Sequence, residues 1–368
     1  MRILIVKTSS LGDVLHTLPA LTDASQAIPG LSADWVVEES FAEIPAWHPA
    51  VERVIPVAVR RWRKHPWGAV QSGDISQFVS ALKLRAYDHV IDAQGLIKSA
   101  LITRLARGNR AGLDRHSIKE SAATLFYQQR VAVPKAQHAV QRVRQLFAAV
   151  LGYQLPSAQM DYGLGALADH KGPAEPNSLM LLHGTTWASK HWPEQYWREL
   201  AALAHADGFQ IKLPWGNQTE HQRALRIADN IPGSVVLDKQ SLTGLARQLS
   251  RCSGVVAVDT GLGHLAAALN RPAVSLYGAT NPALSGSFGS HQQHLRSTLA
   301  CSPCLRKECS YRGEVLTGET KQGSFEVKPA CYQSLPPALV FSEIKRLMTQ
   351  AAIIKTTNSD PSAYPGMA

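Results

Sequence analysis

Short apolar runs alternate with helical patterns along both halves of this chain, and this alternation restricts its fold more than any other feature. Such alternation is typical of parallel strands joined by crossover helices, so the sequence predicts an α/β protein with two doubly wound sheets. The predicted strands are Ile3–Val6, Trp35–Val37, Val54–Val57, His89–Ile91, Leu179–Leu182, Gln210–Leu213, Ser234–Leu237, Gly254–Val258 and Ala273–Tyr277. The predicted helices are Val14–Gln26, Phe78–Leu84, Ile97–Ala106, Val140–Leu151, Pro193–Ala206, Thr219–Asn230, Leu242–Ser250 and Gly263–Leu269.

The 368 residues fit two domains of about 150 to 180 residues each. We predict an amino-terminal domain over 1–155, a Gly-, Pro- and Ala-rich linker over 156–177, and a carboxy-terminal domain over 178–335. An amphipathic helix over 336–352 follows, and packing back on the amino-terminal domain is one arrangement open to it. The polar tail 353–368 contains Pro and Gly and is predicted to be disordered.

The net charge of +10 indicates an anionic partner, and most of the excess lies before residue 156. Nucleic acid, anionic lipid and a phosphorylated substrate all fit such a charge. The chain lacks an apolar run of about 18 residues, and charge returns at Lys7 before a signal-peptide core could form. We therefore expect a cytoplasmic protein.

Four of the five cysteines follow the pattern CSPC-x4-C-x21-C, at Cys301, Cys304, Cys309 and Cys331. A cytosolic setting disfavours disulfides. Zinc sites usually present a second close pair, whereas the fourth cysteine here stands alone. The pattern therefore favours reduced loop thiols over a structural metal.

The stretch IVKTSSLGDVLHTLPAL places an aspartate, Asp13, where a strand passes through a Ser/Gly loop into a helix. Helix starts attract anions, so a carboxylate here has three interpretations. The carboxylate caps the helix, repels anions from the loop or acts as a catalytic base.

The block VVAVDTGLGHLAAAL carries the strongest indication of a ligand site. A buried strand ends at Asp259, and the glycines of Thr260–Gly263 open a helix whose start favours a phosphate. The loose match to a dinucleotide fingerprint lacks the acidic residue expected about 20 positions later, since none occurs between Asp259 and Glu308. The block thus favours a pyrophosphate over NAD, with a plain strand–helix turn as the alternative.

Two further loops follow predicted strands of the second half. In LLHGTTWASKHWPEQYW, the hydroxyls of Thr185 and Thr186 and the ammonium of Lys190 suit phosphate oxygens. In IKLPWGNQTEHQ, Trp215 offers a stacking surface, and Glu220 is either an acceptor for a hydroxyl or a helix-start carboxylate.

The first half contributes the basic segment VRRWRKHPW and the loop DAQGLIKSA. The basic segment is a solvated face or a site for an acidic or phosphorylated substrate at a membrane surface. No nucleic-acid-binding signature accompanies it. The Asp-x-Asp pair that usually holds Mg²⁺ and a nucleotide sugar is absent from the sequence. A phosphate site would therefore rely on helix amides, a lysine and hydroxyls.

Together ILIVKTSSLGDVLHTLPAL, WVVEE, VERVIPV, RRWRK, DAQGLIKSA, KHWPE, KLPWG and VDTGLGHLAAAL resemble the ADP-heptose:lipopolysaccharide heptosyltransferases of glycosyltransferase family 9. The resemblance is strongest to those adding the first inner-core heptose. It implies a GT-B fold, with two Rossmann-like domains facing across a cleft. The implied reaction is inverting, without metal or cofactor, from ADP-L-glycero-β-D-manno-heptose to the first Kdo of Kdo2-lipid A. The implied place is the anionic cytoplasmic face of the inner membrane.

The resemblance also implies roles for particular residues. Asp13 matches the general base, and a single carboxylate suffices for inverting transfer because the leaving diphosphate needs charge stabilisation more than protonation. The implied donor-binding residues are Thr185, Thr186, Lys190, Trp215, Glu220, Asp259, Thr260, Gly261, Leu262, Gly263 and His264. The predicted acceptor-binding residues are Ser10, Arg60, Arg61, Arg63, Lys64, Gln94 and Lys98.

The segment Cys301–Cys331 is more similar to insertions in enzymes that add later heptoses. Transfer of a later core heptose therefore stays an alternative. A Rossmann-like nucleotide-binding protein without transferase activity is a second alternative.

Overall fold

The computed structural model describes residues 1–157, 160–165, 167 and 175–359, and the side chains of 354–359 are excluded from the description. The chain divides into two compact units, Met1–Asp169 with Ala283–Ser285, and His170–Pro282 with Gly286–Ala368. Parts of the predicted linker and the tail from residue 360 lie outside the described residues. Within the described part, every helix is too short or too polar to cross a membrane.

The first unit is built on a six-stranded parallel sheet in the order β3-β2-β1-β4-β5-β6. Its strands are β1 Arg2–Val6, β2 Ser32–Glu38, β3 Val51–Val57, β4 Ala86–Asp92, β5 Arg107–Leu113 and β6 Gln129–Val131. Its helices are α1 Leu11–Leu15, α2 Leu18–Ala27, α3 Glu43–Ala46, α4 Val59–Lys64, α5 Pro66–Gln71, α6 Asp74–Lys83, α7 Ile97–Leu105 and α8 Ala139–Leu151. Apolar side chains of β1 and β4, such as Leu4 and Val90, pack with Phe78 of α6 in one core.

The second unit repeats the arrangement, with the parallel sheet β12-β11-β10-β7-β8-β9. Its strands are β7 Glu175–Leu182, β8 Gln210–Leu213, β9 Ser234–Val236, β10 Cys252–Val258, β11 Ala273–Tyr277 and β12 Gln292–Arg296, and the hairpin β13 Thr317–Thr320 and β14 Gly323–Glu326 follows. Its helices are α9 Glu194–Ala206, α10 Gln218–Ala228, α11 Leu242–Arg251, α12 Gly261–Ala268 and α14 Pro337–Ser359; the short helix α13 Pro282–Ser285 is shared between the units. Both sheets have the strand order of Rossmann folds, whose ligands bind beyond the carboxyl ends of the strands. The predicted class of two doubly wound α/β sheets is confirmed.

One predicted helix differs from the structure, and several elements were not predicted, for physical reasons. The predicted helix Val14–Gln26 is divided into α1 and α2, because Pro19 has no N–H to bond the carbonyl four residues earlier. The basic segment forms α4 and α5, with Pro66 opening the second helix. Strands β5, β6 and β12 went unpredicted because polar side chains interrupt or replace the apolar run in each.

The carboxy-terminal helix α14 packs on α9 and on strand β10 of the second unit. Its Phe341 ring lies 6.2 Å from the ring of Phe209, and a Cβ at Gly254 would come within 2.6 Å of Met348 Sδ. The helix continues to Ser359, beyond the end predicted at residue 352.

Candidate active site

In the first unit, the turn that leads into helix α1 is held by the loop after strand β4. Gln94 Oε1 accepts hydrogen bonds from the backbone N–H groups of Thr8 and Ser9, both at 3.1 Å. The Lys7 ammonium donates to Ala93 O at 2.9 Å. Gln94, predicted to bind an acceptor, thus has its carbonyl occupied in shaping this turn.

Asp13 lies in the first turn of α1, where its carboxylate closes a capping interaction with Ser10. Asp13 Oδ2 accepts from Ser10 N at 2.8 Å and from Ser10 Oγ at 3.0 Å. An acidic side chain at this helix position satisfies a backbone donor that the helix cannot. Among the described residues no hydrogen bond reaches Asp13 Oδ1, so the cap uses only one carboxylate oxygen.

Asp92, at the end of strand β4, organises the adjoining loop and was not among the predicted site residues. Its Oδ1 accepts from the N–H groups of Gln94 and Gly95, and its Oδ2 lies 2.9 Å from Ser99 Oγ and 2.6 Å from Tyr127 Oη. Complete burial raises the pKa of the Asp92 carboxyl, against the opposing effect of these donors. The loop around Gln94 therefore rests on a buried polar network, while the neighbouring Lys98 is exposed on α7.

The basic residues of α4 differ in whether they already contact other side chains. Arg61 pairs with Glu39 at 3.1 Å and with Asp74 at 2.5 Å. Arg60 lies with its guanidinium carbon 5.3 Å from the centroid of the Phe41 ring. Arg63 and Lys64 are exposed, and no ion pair involves them within the described residues. Arg63 and Lys64 are therefore available to an anionic ligand, whereas Arg61 is already neutralised.

In the second unit, the loops after the adjacent strands β7 and β10 meet at an ion pair. Lys190 Nζ lies 2.7 Å from Asp259 Oδ2, and both side chains are largely buried. The ammonium also lies 4.4 Å from the centroid of the Trp187 ring, within the range of a cation–π contact. Thr280 Oγ1 donates to the same Asp259 oxygen at 2.6 Å.

Helix α12 begins directly beside this pair. Thr260 is its N-cap residue, and Thr185 Oγ1 donates to the backbone carbonyl of Asp259 at 3.0 Å. A Cβ at Gly263 would lie 3.3 Å from Ala257 Cβ, so the glycine lets the first turn of the helix pack closely on strand β10. The remaining predicted donor residues here are Gly261 and Leu262, which are half-buried, His264, which is buried, and Thr186, which is exposed. A helix start beside an ammonium is an arrangement that favours a phosphate, so these residues stay the predicted site for a diphosphate.

Glu220 connects the loops after β7 and β8. Its Oε2 accepts from Gly216 N at 2.8 Å, and Asn217 Oδ1 accepts from Glu220 N at 3.0 Å, which forms the amino-terminal cap of α10. A Cβ at Gly184 would lie 2.8 Å from the Glu220 carboxyl, so the two loops are in close contact. Trp215 is fixed by its indole N–H, which donates to Leu237 O at 2.7 Å, and its ring lies 4.3 Å from that of His221.

Arg223, which sequence reasoning missed, lies beside the buried His183 and the half-buried His191. Its Nη1 is 3.0 Å from His191 Nδ1 and 3.4 Å from His183 O. Burial, followed by the charge of Arg223, lowers the pKa of each histidine to about 4. Both rings are therefore neutral at physiological pH, which leaves Arg223 as the cation of this cluster.

Comparison with known proteins gives concordant similarities. The model of glycosyltransferase family 9 (heptosyltransferase) matches residues 75–314. The curated lipopolysaccharide heptosyltransferase 1 of Pseudomonas aeruginosa is 51% identical over 356 residues, which cover 95% of this chain and 98% of that protein. The solved structure of Escherichia coli heptosyltransferase WaaC with ADP is similar with a TM-score of 0.78 at 52% identity, covering 81% of this chain and 93% of that one. The structure of the same enzyme with ADP-2-deoxy-2-fluoro heptose has a TM-score of 0.77 at the same identity and coverage.

Proposed function

Because this chain belongs to glycosyltransferase family 9, the heptosyltransferases, we propose that it transfers heptose from ADP-L-glycero-β-D-manno-heptose to the first Kdo of Kdo2-lipid A. The resemblance drawn from the sequence motifs and the GT-B class are confirmed, and the protein is a heptosyltransferase of lipopolysaccharide inner-core synthesis. We propose the epimer of the donor heptose and the identity of the acceptor sugar. Binding of the donor is supported by the ammonium of Lys190, which lies beside the start of helix α12.

The donor diphosphate is proposed to bind the first amides of α12 together with Lys190 and Thr185. Asp259 holds the Lys190 ammonium in place before the donor arrives, which lowers the entropic cost of ordering a long side chain. The phosphate oxygens would then share that ammonium with Asp259. Trp215, fixed by its indole N–H, supports stacking of the nucleotide, and the Glu220 carboxylate supports a bond to a ribose hydroxyl.

In the proposed inverting reaction, Asp13 takes the proton of the acceptor hydroxyl. The hydroxyl oxygen forms the new bond to the anomeric carbon as the bond from that carbon to the diphosphate oxygen breaks, and ADP leaves with the electron pair. Asp13 Oδ2 is occupied by Ser10, so Oδ1 is the oxygen proposed to accept the proton. Developing charge on the diphosphate is stabilised by Lys190 and the helix amides.

We also propose that α4 and α5 meet the lipid acceptor at the anionic cytoplasmic face of the inner membrane. Arg63 and Lys64 are exposed cations, and on the next helix Trp67 and Val70 are 80% and 64% exposed. Cations beside exposed aromatic and aliphatic groups suit an anionic lipid surface. A Trp67→Ala variant should bind anionic vesicles more weakly than wild type, and equal binding of both would contradict this assignment.

The function is tested by incubating the full chain with ADP-heptose and either Kdo2-lipid A or its singly heptosylated product, and then measuring the lipid mass. We expect one heptose to be added to Kdo2-lipid A and none to the product. Addition of heptose to the singly heptosylated lipid instead would identify an enzyme that adds a later core heptose. Donor binding without transfer to either lipid would contradict the proposal. The same incubation without ADP-heptose serves as the control.

A further inference from the structure

Four cysteines that play no part in the proposed transfer lie around one cavity of the second unit. The cavity has a volume of about 440 Å³, and Cys301, Cys304, Cys309 and Cys331 all contribute to its wall. The fifth cysteine, Cys252, opens strand β10 and does not line this cavity. The structure thus joins the distant Cys331 to the CSPC-x4-C cluster, a juxtaposition that the sequence spacing left open.

Cys331 is positioned by core packing at the end of strand β11. A Cβ at Gly278 would collide with Cys331 Sγ, so the sulfur lies directly against the backbone there. The adjacent Tyr332 is fully buried, and its hydroxyl donates to Lys190 O at 2.8 Å. The fourth thiol is therefore anchored rather than carried on an unconstrained loop.

The loop with the other three thiols is tied to the same strand end. Ser302 Oγ donates to Gly278 O at 2.6 Å, and Leu305 N donates to Ala279 O at 2.8 Å. Cys304 lies between these two anchors in the chain. The four thiols are free of disulfides.

We propose that Cys301, Cys304, Cys309 and Cys331 form a tetrathiolate site for a divalent thiophilic ion, with Zn²⁺ as the occupant. Four cysteine sulfurs are the ligand set of closed structural zinc sites. Each thiol releases its proton to solvent as its sulfur binds the ion. Arg306 also lines the cavity, and its positive charge would offset part of the net negative charge of a zinc tetrathiolate.

One further observation bears on how the site would form. In the described part of the chain no three ligand side chains already converge as they would around an ion. The sulfurs must therefore rotate inward between staggered rotamers as the ion binds.

A bound ion would stabilise the loop that carries Lys190 without taking part in the transfer reaction. Ser189 N donates to Lys307 O at 3.0 Å, and Ser189 Oγ donates to Arg306 O at 2.5 Å. Ser189 precedes Lys190, so an ion that fixes the loop 301–309 also restrains the backbone of the proposed phosphate-binding lysine.

The test uses the full chain, fully reduced and freed of metal, titrated with Co²⁺ as a spectroscopic substitute and then with Zn²⁺. We expect one Co²⁺ per chain, with the thiolate charge-transfer absorption and visible bands of tetrahedral cobalt, and displacement by Zn²⁺. Separate Cys304→Ser and Cys331→Ser variants should each lose affinity by about 100-fold or more. Cys252→Ser is the matched control and should bind as wild type, because a hydroxyl can replace the thiol donor to Gln248 O.

A second measurement keeps the proposal testable if a variant does not fold. One equivalent of Zn²⁺ should protect four thiols of the wild-type chain from a thiol reagent. Equal reactivity with and without Zn²⁺, or no charge-transfer absorption with Co²⁺, would overturn the site. Unchanged affinity in a folded Cys331→Ser variant would equally overturn the assignment of four ligands.

Discussion

Lys190 Nζ lies 2.7 Å from Asp259 Oδ2, so the proposed phosphate-binding ammonium is held by a carboxylate from the neighbouring strand end. Replacing Lys190 with Ala removes the cation from the diphosphate. We expect kcat/KM to fall by an amount equivalent to about 2 to 4 kcal/mol. The measurement is the steady-state rate with ADP-heptose varied, alongside the melting temperature.

Asp259→Asn is the matched variant for this pair. It frees the Lys190 ammonium, while its amide oxygen still accepts from Thr280 Oγ1. We expect a smaller loss of kcat/KM than in Lys190→Ala. If the pair were only structural, the two variants would lose similar stability and retain the wild-type rate per folded molecule.

The acceptor prediction concerns the two available cations of α4. Changing both Arg63 and Lys64 to Ala should raise the acceptor KM far more than the donor KM, because the proposed acceptor, Kdo2-lipid A, carries phosphates and carboxylates. The effect should shrink at high salt, where exposed charges are screened. Arg61→Ala is the comparison, since Glu39 and Asp74 already neutralise Arg61 and its loss should change the acceptor KM less. Equal changes in both KM values would remove α4 from the acceptor site.

The sequence was sufficient for the fold where apolar runs are uninterrupted. Strands β1 and β10 and the Leu179–Leu182 part of β7 are buried almost throughout, so their composition alone indicated parallel strands. Strand β5 reads RGNRAGL and β12 reads QQHLR, and neither carries an apolar pattern. Their pairing comes from neighbouring strands that are distant in sequence.

The candidate site was predictable loop by loop, but the contacts between loops were not. Lys190 and Asp259 follow different strands, and they meet because β7 pairs with β10. A helix-start carboxylate was one of the two interpretations of Glu220 from the sequence, and in the structure its Oε2 accepts from Gly216 N at the start of α10. Asp92 was overlooked because its four donors come from the loop after β4, from α7 and from Tyr127, which is 35 residues further along the chain, and they converge only in the folded unit.

Turnover should not depend on added Mg²⁺. The sequence has no Asp-x-Asp pair to hold a nucleotide-bound Mg²⁺, and the Lys190 ammonium with the start of α12 supplies positive charge for the diphosphate. The measurement is kcat over a Mg²⁺ titration without chelator, so that the thiol-lined cavity is left undisturbed. A strict requirement for Mg²⁺ would contradict the proposed donor site.

Acid should destabilise the first unit through His48, which is 2% exposed. His48 Nδ1 accepts from Ala50 N at 3.1 Å, and Nε2 lies 3.0 Å from Thr22 Oγ1, so the packed ring is neutral. Burial lowers its pKa from 6.5 to about 4, against the opposing charge of Asp161. Between these values the unfolded chain binds a proton that the folded protein does not. The free energy of unfolding therefore falls as the pH drops from 6.5 to 4.

His48→Gln tests this contribution because the amide does not titrate. Between pH 7 and pH 4 we expect the wild type to lose up to about 3 kcal/mol more stability than the variant, measured by denaturant unfolding at each pH. His183 and His191 are present in both the wild type and the variant, so their contributions to the pH dependence of stability cancel in the comparison. Identical pH slopes for the two would rule out His48 as a source of the acid sensitivity.

Asp13 can be a helix cap, a base or both, and its geometry allows the two roles to be separated. Only Oδ2 is bound by Ser10, at 2.8 Å from the backbone N–H, and an asparagine oxygen can keep that bond. If the residue is only a cap, Asp13→Asn should cost at most about 1 kcal/mol of stability and leave turnover nearly intact. We expect instead that kcat falls by about a hundredfold or more, with ADP-heptose still bound. Ser10→Ala is the control at saturating acceptor, since it removes the 3.0 Å hydroxyl bond but keeps the carboxylate; as a predicted acceptor-binding residue Ser10 can affect the acceptor KM, but kcat should be mostly retained. Measuring kcat and melting temperature on the same preparations decides between the roles, and a folded Asp13→Asn enzyme with near-normal kcat would exclude Asp13 as the base.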